Sequence, residues 1–233
     1  MTPEEFQKAV SLNDDVMAKL LKFDAFFLET AAIHNLVARS TLPDRWSRHY
    51  LDSAQLAALI PQGPNSILDL GSGAGFPGLI LAAIGEEFGW QLELVESTGK
   101  KALFLREAAS IMGLQNVNVH QSRIETLSPK ALKKSADIIT ARALANLNAL
   151  LTLSAPFLSP HTHCVFPKGE RGGEELTIAQ EHWHMNVREF PSMTSDASVL
   201  FVIDDVTQKP DTGLGDPAKK QNTPAKQSVR PTQ

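Results

Sequence analysis

Ser66-Ile67-Leu68-Asp69-Leu70-Gly71-Ser72-Gly73-Ala74-Gly75-Phe76-Pro77-Gly78 passes from an apolar run through an acid into three alternating glycines, and the helical pattern Leu79-Ile80-Leu81-Ala82-Ala83-Ile84 follows. A strand, a tight turn and a helix are expected in that order. Glycines at such a turn take positive φ and let a ligand reach the backbone, so the turn reads as a binding loop. Its spacing is G-x-G-x-G, whereas dinucleotide loops carry G-x-G-x-x-G. Asp69 stands two residues ahead of the first glycine. An anion there is unusual beside a phosphate and suits a cationic ligand, and S-adenosylmethionine offers both an ammonium and a sulfonium. The alternative is that Asp69 only bonds loop amides at an ordinary βα turn.

Downstream, apolar runs alternate with helical segments. Strands are expected at about 66–70, 91–96, 117–121, 136–141, 162–167, 186–191 and 198–204, with helices at about 76–87, 99–112, 143–156 and 172–183. That βαβαβ order predicts an α/β fold, a mostly parallel seven-stranded sheet with helices on both faces. The helix over 99–112 is expected to bury Leu103, Leu105, Ala109 and Met112 and to stop at Gly113.

Upstream, Thr2-Pro3-Glu4-Glu5 opens a short helix. Val16, Leu20, Phe23, Phe27 and Ile33, with Met17, Leu21 and Leu28, give a long amphipathic one, and Thr41-Leu42-Pro43-Asp44 opens a third that closes before Pro61. Residues 1–62 are therefore an N-terminal helical cap and 63–206 the sheet domain. Residues 207–233 hold four prolines and almost no large apolar side chain, the composition of a disordered tail.

The chain has 233 residues and a formal charge of −4. The tail's five basic and two acidic residues give it +3, leaving −7 for the body, so any RNA contact must come from local clusters. No run approaches a membrane span and the N-terminus lacks a signal pattern, so a cytoplasmic protein without a membrane partner is expected. Cys164 sits in an apolar run and reads as a buried strand residue. His161-x-His163 and His182-x-His184 lack a supporting ligand pattern, and no metal is expected.

Ligands of open parallel sheets bind beyond the carboxyl ends of the strands. Glu96 ends the second strand, where an acid can accept from both ribose hydroxyls of a nucleoside. Ile124 and Glu125 follow the third, at the adenine end, and Arg142 follows the fourth, over the reaction centre. With Asp69, Gly71, Gly73 and Phe76 these form the candidate cofactor site, and Arg142 is the candidate catalytic residue. Lys100 and Lys101 at a helix start, Arg39, Arg45, Arg48 and His49 in the cap, and Lys168 and Arg171 after the fifth strand form a candidate basic rim for RNA. The bland reading is a solvated surface, with Asp52 paired to Arg48 one helical turn away.

Asn35-Leu36, Arg48-His49-Tyr50-Leu51-Asp52-Ser53, the loop Asp69–Gly78 with its Phe-Pro-Gly ending, Gly99-Lys100-Lys101, Arg142-Ala143 and Lys168-Gly169 together resemble the bacterial 16S rRNA guanine-N7 methyltransferase G family, also called glucose-inhibited division protein B. The chain departs from it at Val37, where threonine is usual, and after Val206. The resemblance implies a Rossmann-like class I methyltransferase fold and methyl transfer from S-adenosylmethionine to N7 of one guanine in the 530-loop region. It also implies 16S rRNA or the 30S subunit as partner, a monomer, Gly71 and Phe76 in the cofactor loop, Ile124 and Glu125 at the adenine end, and Arg142 on the cofactor or target side. On the residues alone, a same-fold methyltransferase for a small molecule or protein, or a non-catalytic assembly factor, remains open.

Overall fold

The computed structural model describes residues 1–210. Thr2 caps α1 (Pro3–Ala9) through a complete capping box with Glu5, and the Asn13 side chain caps α2 (Asp14–Ile33). Val16, Met17, Leu20, Phe23 and Phe27 are buried along α2, as its periodicity requires. Ile33 ends the helix 74% exposed and Leu21 lies on its outer face, so neither joins the stripe. The third cap helix differs from its expected form: Trp46–Leu51 is a π-helical stretch, Asp52–Ala54 is a single α turn (α3) and Gln55–Leu59 is 3₁₀. Such wide turns change which side chains share a face, and no sequence pattern marks them.

The sheet comprises β1 (Ser66–Leu70), β2 (Gln91–Glu96), β3 (Val117–Gln121), β4 (Ile138–Thr140), β5 (His163–Lys168), β6 (Trp183–Pro191) and β7 (Val199–Gln208), in the order β3-β2-β1-β4-β5-β7-β6. The first five strands are parallel. The regular βαβ pattern fails at the end of the chain: β7 returns as a hairpin from β6 and inserts antiparallel between it and β5. A direct β6–β7 link of a few residues cannot make a parallel crossover, so the reversal follows from the short connection. Residues 207 and 208, the start of the tail expected over 207–233, belong to β7; its residues 211–233 lie outside the described residues.

Helices α4 (Gly78–Gly85), α5 (Gly99–Met112), α6 (Leu147–Ser154) and α7 (Gly172–His182) connect the strands. Helix α6 starts four residues later than expected because the Asn146 side chain caps it at the Ala149 amide, which frees 143–146 as a loop. In α5 Leu105, Ala109 and Met112 are buried as expected, together with Ala102, Phe104 and Ala108; Leu103 alone of the expected set turns outward, 54% exposed.

Alternate strand residues serve two cores. Ile67, Leu92 and Leu94 pack with α4, α5 and the cap aromatics, while Leu68, Leu70 and Val95 pack with α6 and α7 residues. Phe23, Tyr50 and Phe76 stand 5.2–5.9 Å apart between ring centres and join cap to glycine loop. The cap thus shares the hydrophobic core of the sheet. No described helix is long and apolar enough to cross a membrane.

Where the chain leaves the glycine loop it packs without slack. A Cβ on Gly78 would lie 2.4 Å from a Leu94 methyl and 2.6 Å from Asp69 Oδ2. Gly78→Ala is expected to cost about 1–3 kcal/mol through overpacking, read from denaturant unfolding; an unchanged midpoint would mean that α4 moves aside freely.

Candidate functional site

Strand order reverses between β1 and β4, and the crevice at that switch point is where an open α/β sheet takes its ligand. A cavity of about 710 Å³ lies there, within the size range of cofactor sites. Gly71, Gly73, Phe76, Glu96, Lys101, Ile124, Glu125 and Arg142 all line it, so the structure brings together seven of the eight expected cofactor residues.

Glycine is required at the turn for two reasons. Gly71, Gly73 and Gly75 have φ of 71°, 55° and 89°, and a Cβ on Gly71 would come within 2.8 Å of the Leu144 side chain. Glu96 fixes the loop: Oε2 accepts from the Gly73 amide at 3.0 Å and Oε1 from the Thr98 amide at 2.7 Å. The carboxylate is buried yet lines the cavity, with lone pairs left on both oxygens. Ile124 supplies an apolar wall, and the exposed Glu125 sits beside Arg123 at 3.6 Å.

Asp69 is the eighth residue, and the structure places it elsewhere. Its side chain points to the α4 side of the sheet, beneath the loop, is 0% exposed and does not line the cavity. Direct contact with a ligand in the cavity is therefore replaced by a supporting position. Among the described residues neither carboxylate oxygen has a hydrogen-bond partner. Burial pushes its pKa up to about 6; the dipoles of the nearby Ser72 hydroxyl and Gly78 amide, short of full hydrogen-bond geometry, and the Arg142 charge offset this only in part.

Arg142 leaves the end of β4 and enters a polar network that the sequence does not display. Its guanidinium donates to the Arg48 carbonyl at 3.0 Å, to His49 Nδ1 at 3.2 Å and to Asp52 Oδ2 at 3.2 Å, and stands 5.3 Å over the Phe76 ring. The expected Arg48–Asp52 pair gives way to this Arg142–Asp52 pair. Thr41 donates its hydroxyl hydrogen to the Ala38 carbonyl and so accepts from His49 Nε2 at 2.8 Å. His49 is therefore a neutral ring protonated on Nε2, with Nδ1 accepting from Arg142. Burial, followed by the charges of Arg142 and Arg48, pushes its pKa down to about 4.

The basic rim is smaller than expected. His49 is 7% exposed and turned inward, Arg45 forms a two-point pair with Asp24, and Lys168 donates to the Ala145 carbonyl at 2.9 Å and pairs with Glu175 at 2.7 Å. These three are structural cations or rings because a carboxylate or acceptor from a distant segment meets each, which local sequence cannot reveal. Arg48, Lys100 and Arg39 stay exposed. Lys100 and Lys101 flank a smaller hollow of about 180 Å³ with Asn35, Leu36 and Phe104. Cys164 is buried on β5, its thiol pushed up to about 12 by burial. Among the described residues no group of three His, Cys, Asp or Glu is placed to hold a metal.

The raised Asp69 pKa links loop stability to pH. Below about 3 the group is protonated whether folded or unfolded; between 3.8 and about 6 the unfolded chain ionises first, so native stability falls as pH rises through that window. Asp69→Asn is expected to gain on the wild type by about 3 kcal/mol between about pH 3 and pH 8, measured by urea unfolding at both. A pH-independent difference would show that the carboxylate is not held in a desolvating site.

The family model GidB, described as rRNA small subunit methyltransferase G, matches residues 16–199. Ribosomal RNA small subunit methyltransferase G of Rhodospirillum centenum is 44% identical over 205 residues, covering 88% of this chain and 91% of that protein. The protein of the same name from Rhodospirillum rubrum is 41% identical over 206 residues, covering 88% and 98%. Among solved structures, a SAM dependent methyltransferase from Aquifex aeolicus superposes with a TM-score of 0.51 at 17% identity over 70% of this chain and 92% of that one, a likeness of fold. The fold is thus the Rossmann-like methyltransferase architecture, and the chain belongs to the rRNA small subunit methyltransferase G family.

Proposed function

We propose that this chain transfers a methyl group from S-adenosylmethionine to N7 of a guanine in the 530-loop region of 16S rRNA, acting on the small ribosomal subunit in the cytoplasm. The observation that carries the reading is the cavity at the switch point, where the glycine loop, Glu96 and Arg142 meet in a chain of this family.

The residues present fit the cofactor. A Cβ on Gly73 would project into space whose nearest atom is the Gly71 carbonyl at 3.7 Å, so the loop forms a cradle open to a ligand. Glu96, held by two amides, is set to accept from ribose hydroxyls with its remaining lone pairs. Ile124 would lie against the adenine and Gly71 and Gly73 against the aminocarboxypropyl end. When bound, the sulfonium supplies a methyl group whose carbon–sulfur bond breaks as N7 bonds to the carbon, the bonding pair returning to sulfur.

Guanine N7 carries an in-plane lone pair, so no proton must be removed before attack. What the chain must supply is then alignment and exclusion of water. His49 suits that role and not general-base chemistry, because both ring nitrogens are already engaged. It is a positioning residue for Arg142, and Arg142 touches the space where donor and acceptor meet. Exposed Arg48, Lys100 and the partly exposed Lys101 would contact RNA phosphates around the mouth.

The deciding experiment incubates the chain with labelled S-adenosylmethionine and 30S subunits from a strain lacking the modification, then maps the labelled nucleotide. Label in the 530-loop guanine is expected; no label in rRNA would remove the reading. Arg142→Ala should lower transfer by about 10²–10³-fold with an unchanged circular dichroism spectrum, and wild-type rates would take Arg142 out of the mechanism. Glu96→Ala should weaken cofactor affinity about 10- to 100-fold, measured by calorimetry; unchanged affinity would unseat Glu96 as the ribose acceptor.

A further inference from the structure

A second cavity, of about 580 Å³, adjoins the first and shares Arg142, Ala143 and Leu144 with it. Two carboxylates line the second cavity and not the first, Asp52 and Glu175. Asp52 has both oxygens engaged: Oδ2 accepts from Arg142, and Oδ1 accepts from Gln55 Nε2 at 3.1 Å and Thr194 Oγ1 at 3.3 Å. Glu175 accepts through Oε2 alone, from the Leu147 amide at 2.8 Å and Lys168 Nζ at 2.7 Å. Among the described residues Oε1 accepts nothing, while the two contacts on Oε2 hold the carboxylate in one orientation.

We propose that this second cavity receives the acceptor guanine, turned out of its stack, and that Glu175 Oε1 accepts from the N1–H and 2-amino groups of its Watson–Crick edge. The proposal rests on the guanine-N7 reading above. Enzymes that act on a base extrude it into a pocket and read its edge by hydrogen bonds. Guanine presents N7 and O6 on one edge and the N1–H and 2-amino donors on the other. For N7 to meet the methyl donor, its edge must face the wall the two cavities share, Arg142 to Leu144. The donor edge then turns toward the part of the second cavity that the first does not include, and the one carboxylate there with a spare oxygen is Glu175. Adenine has an acceptor at N1 and no 2-amino group, so the same carboxylate selects against it.

The test compares methyl transfer to 30S subunits reconstituted with 16S rRNA carrying guanosine or inosine, which lacks the 2-amino group, at the target position. The wild type should favour guanosine about tenfold or more in kcat/KM, and Glu175→Ala should bring the ratio close to one. Taking the ratio within one enzyme cancels the loss of the Lys168 and Leu147 contacts. Glu175→Gln keeps the side-chain volume and, through its carbonyl, the Leu147 and Lys168 contacts, but puts an NH2 donor in the place of Oε1, and should likewise lose the preference for guanosine, which covers the case in which the alanine variant does not fold. A wild type indifferent to inosine, or variants that keep the wild-type ratio, would overturn the proposal. No label in either RNA with the wild type would instead overturn the function on which it rests.

Discussion

One guanidinium joins the parts of this molecule. Arg142 comes from the end of a parallel strand, yet its partners are the Arg48 carbonyl, the His49 ring and the Asp52 carboxylate, all from the N-terminal cap, and it lies over Phe76 of the glycine loop. Asp52 passes the connection on to Thr194 in the β6–β7 turn, while the neighbouring Gln55 accepts from the Met193 amide at 2.7 Å. Cap, loop, sheet and terminal hairpin thus meet at one cation, on top of the hydrophobic core that cap and sheet share. A planar, permanently charged fork can satisfy acceptors from several directions at once, which a lysine ammonium at the same place would not reproduce. The neutral state of His49 is part of the arrangement, because a second cation 3.2 Å away would oppose the first.

The glycine loop rests on two acids with opposite roles. Glu96 faces the cavity and satisfies loop amides from above. Asp69 lies below, without a hydrogen-bond partner among the described residues, under a helix start that only glycine at position 78 permits. Leaving a carboxylate desolvated costs stability at neutral pH, so Asp69 is a position where the fold is less stable than it could be. Departures of that kind are typical of functional sites, where a local rule is broken and the surroundings compensate.

Much of this is legible in the residues. The alternating glycines mark the β1–α4 turn and its ligand crevice, since a chemical signal at fixed spacing needs no tertiary knowledge; Glu96, Ile124 and Arg142 follow from the rule that strand ends converge. What does not show is set by distant partners. The hairpin of β7 against β5 depends on pairing across the sheet, and the π-helical turn at Trp46–Leu51 has no signature. Lys168 and Arg45 read as free surface charges because Glu175 and Asp24 lie 7 and 21 residues away in sequence. Asp69 reads at the right turn but on the wrong side of it, as strand alternation sends it under the loop while Leu70 faces the other core.

The inward pairing of those cations bears on how RNA is met. The body carries a formal −7, and Arg45, Arg142 and Lys168 spend their charge on Asp24, Asp52 and Glu175. What remains exposed or partly exposed near the cavities is a short set that includes Arg48, Lys100, Lys101 and Arg123. Phosphate contacts position and base contacts specify. The charged residues near the centre are fixed by internal pairs, so their geometry, and not their number, sets the polar surface around Arg142.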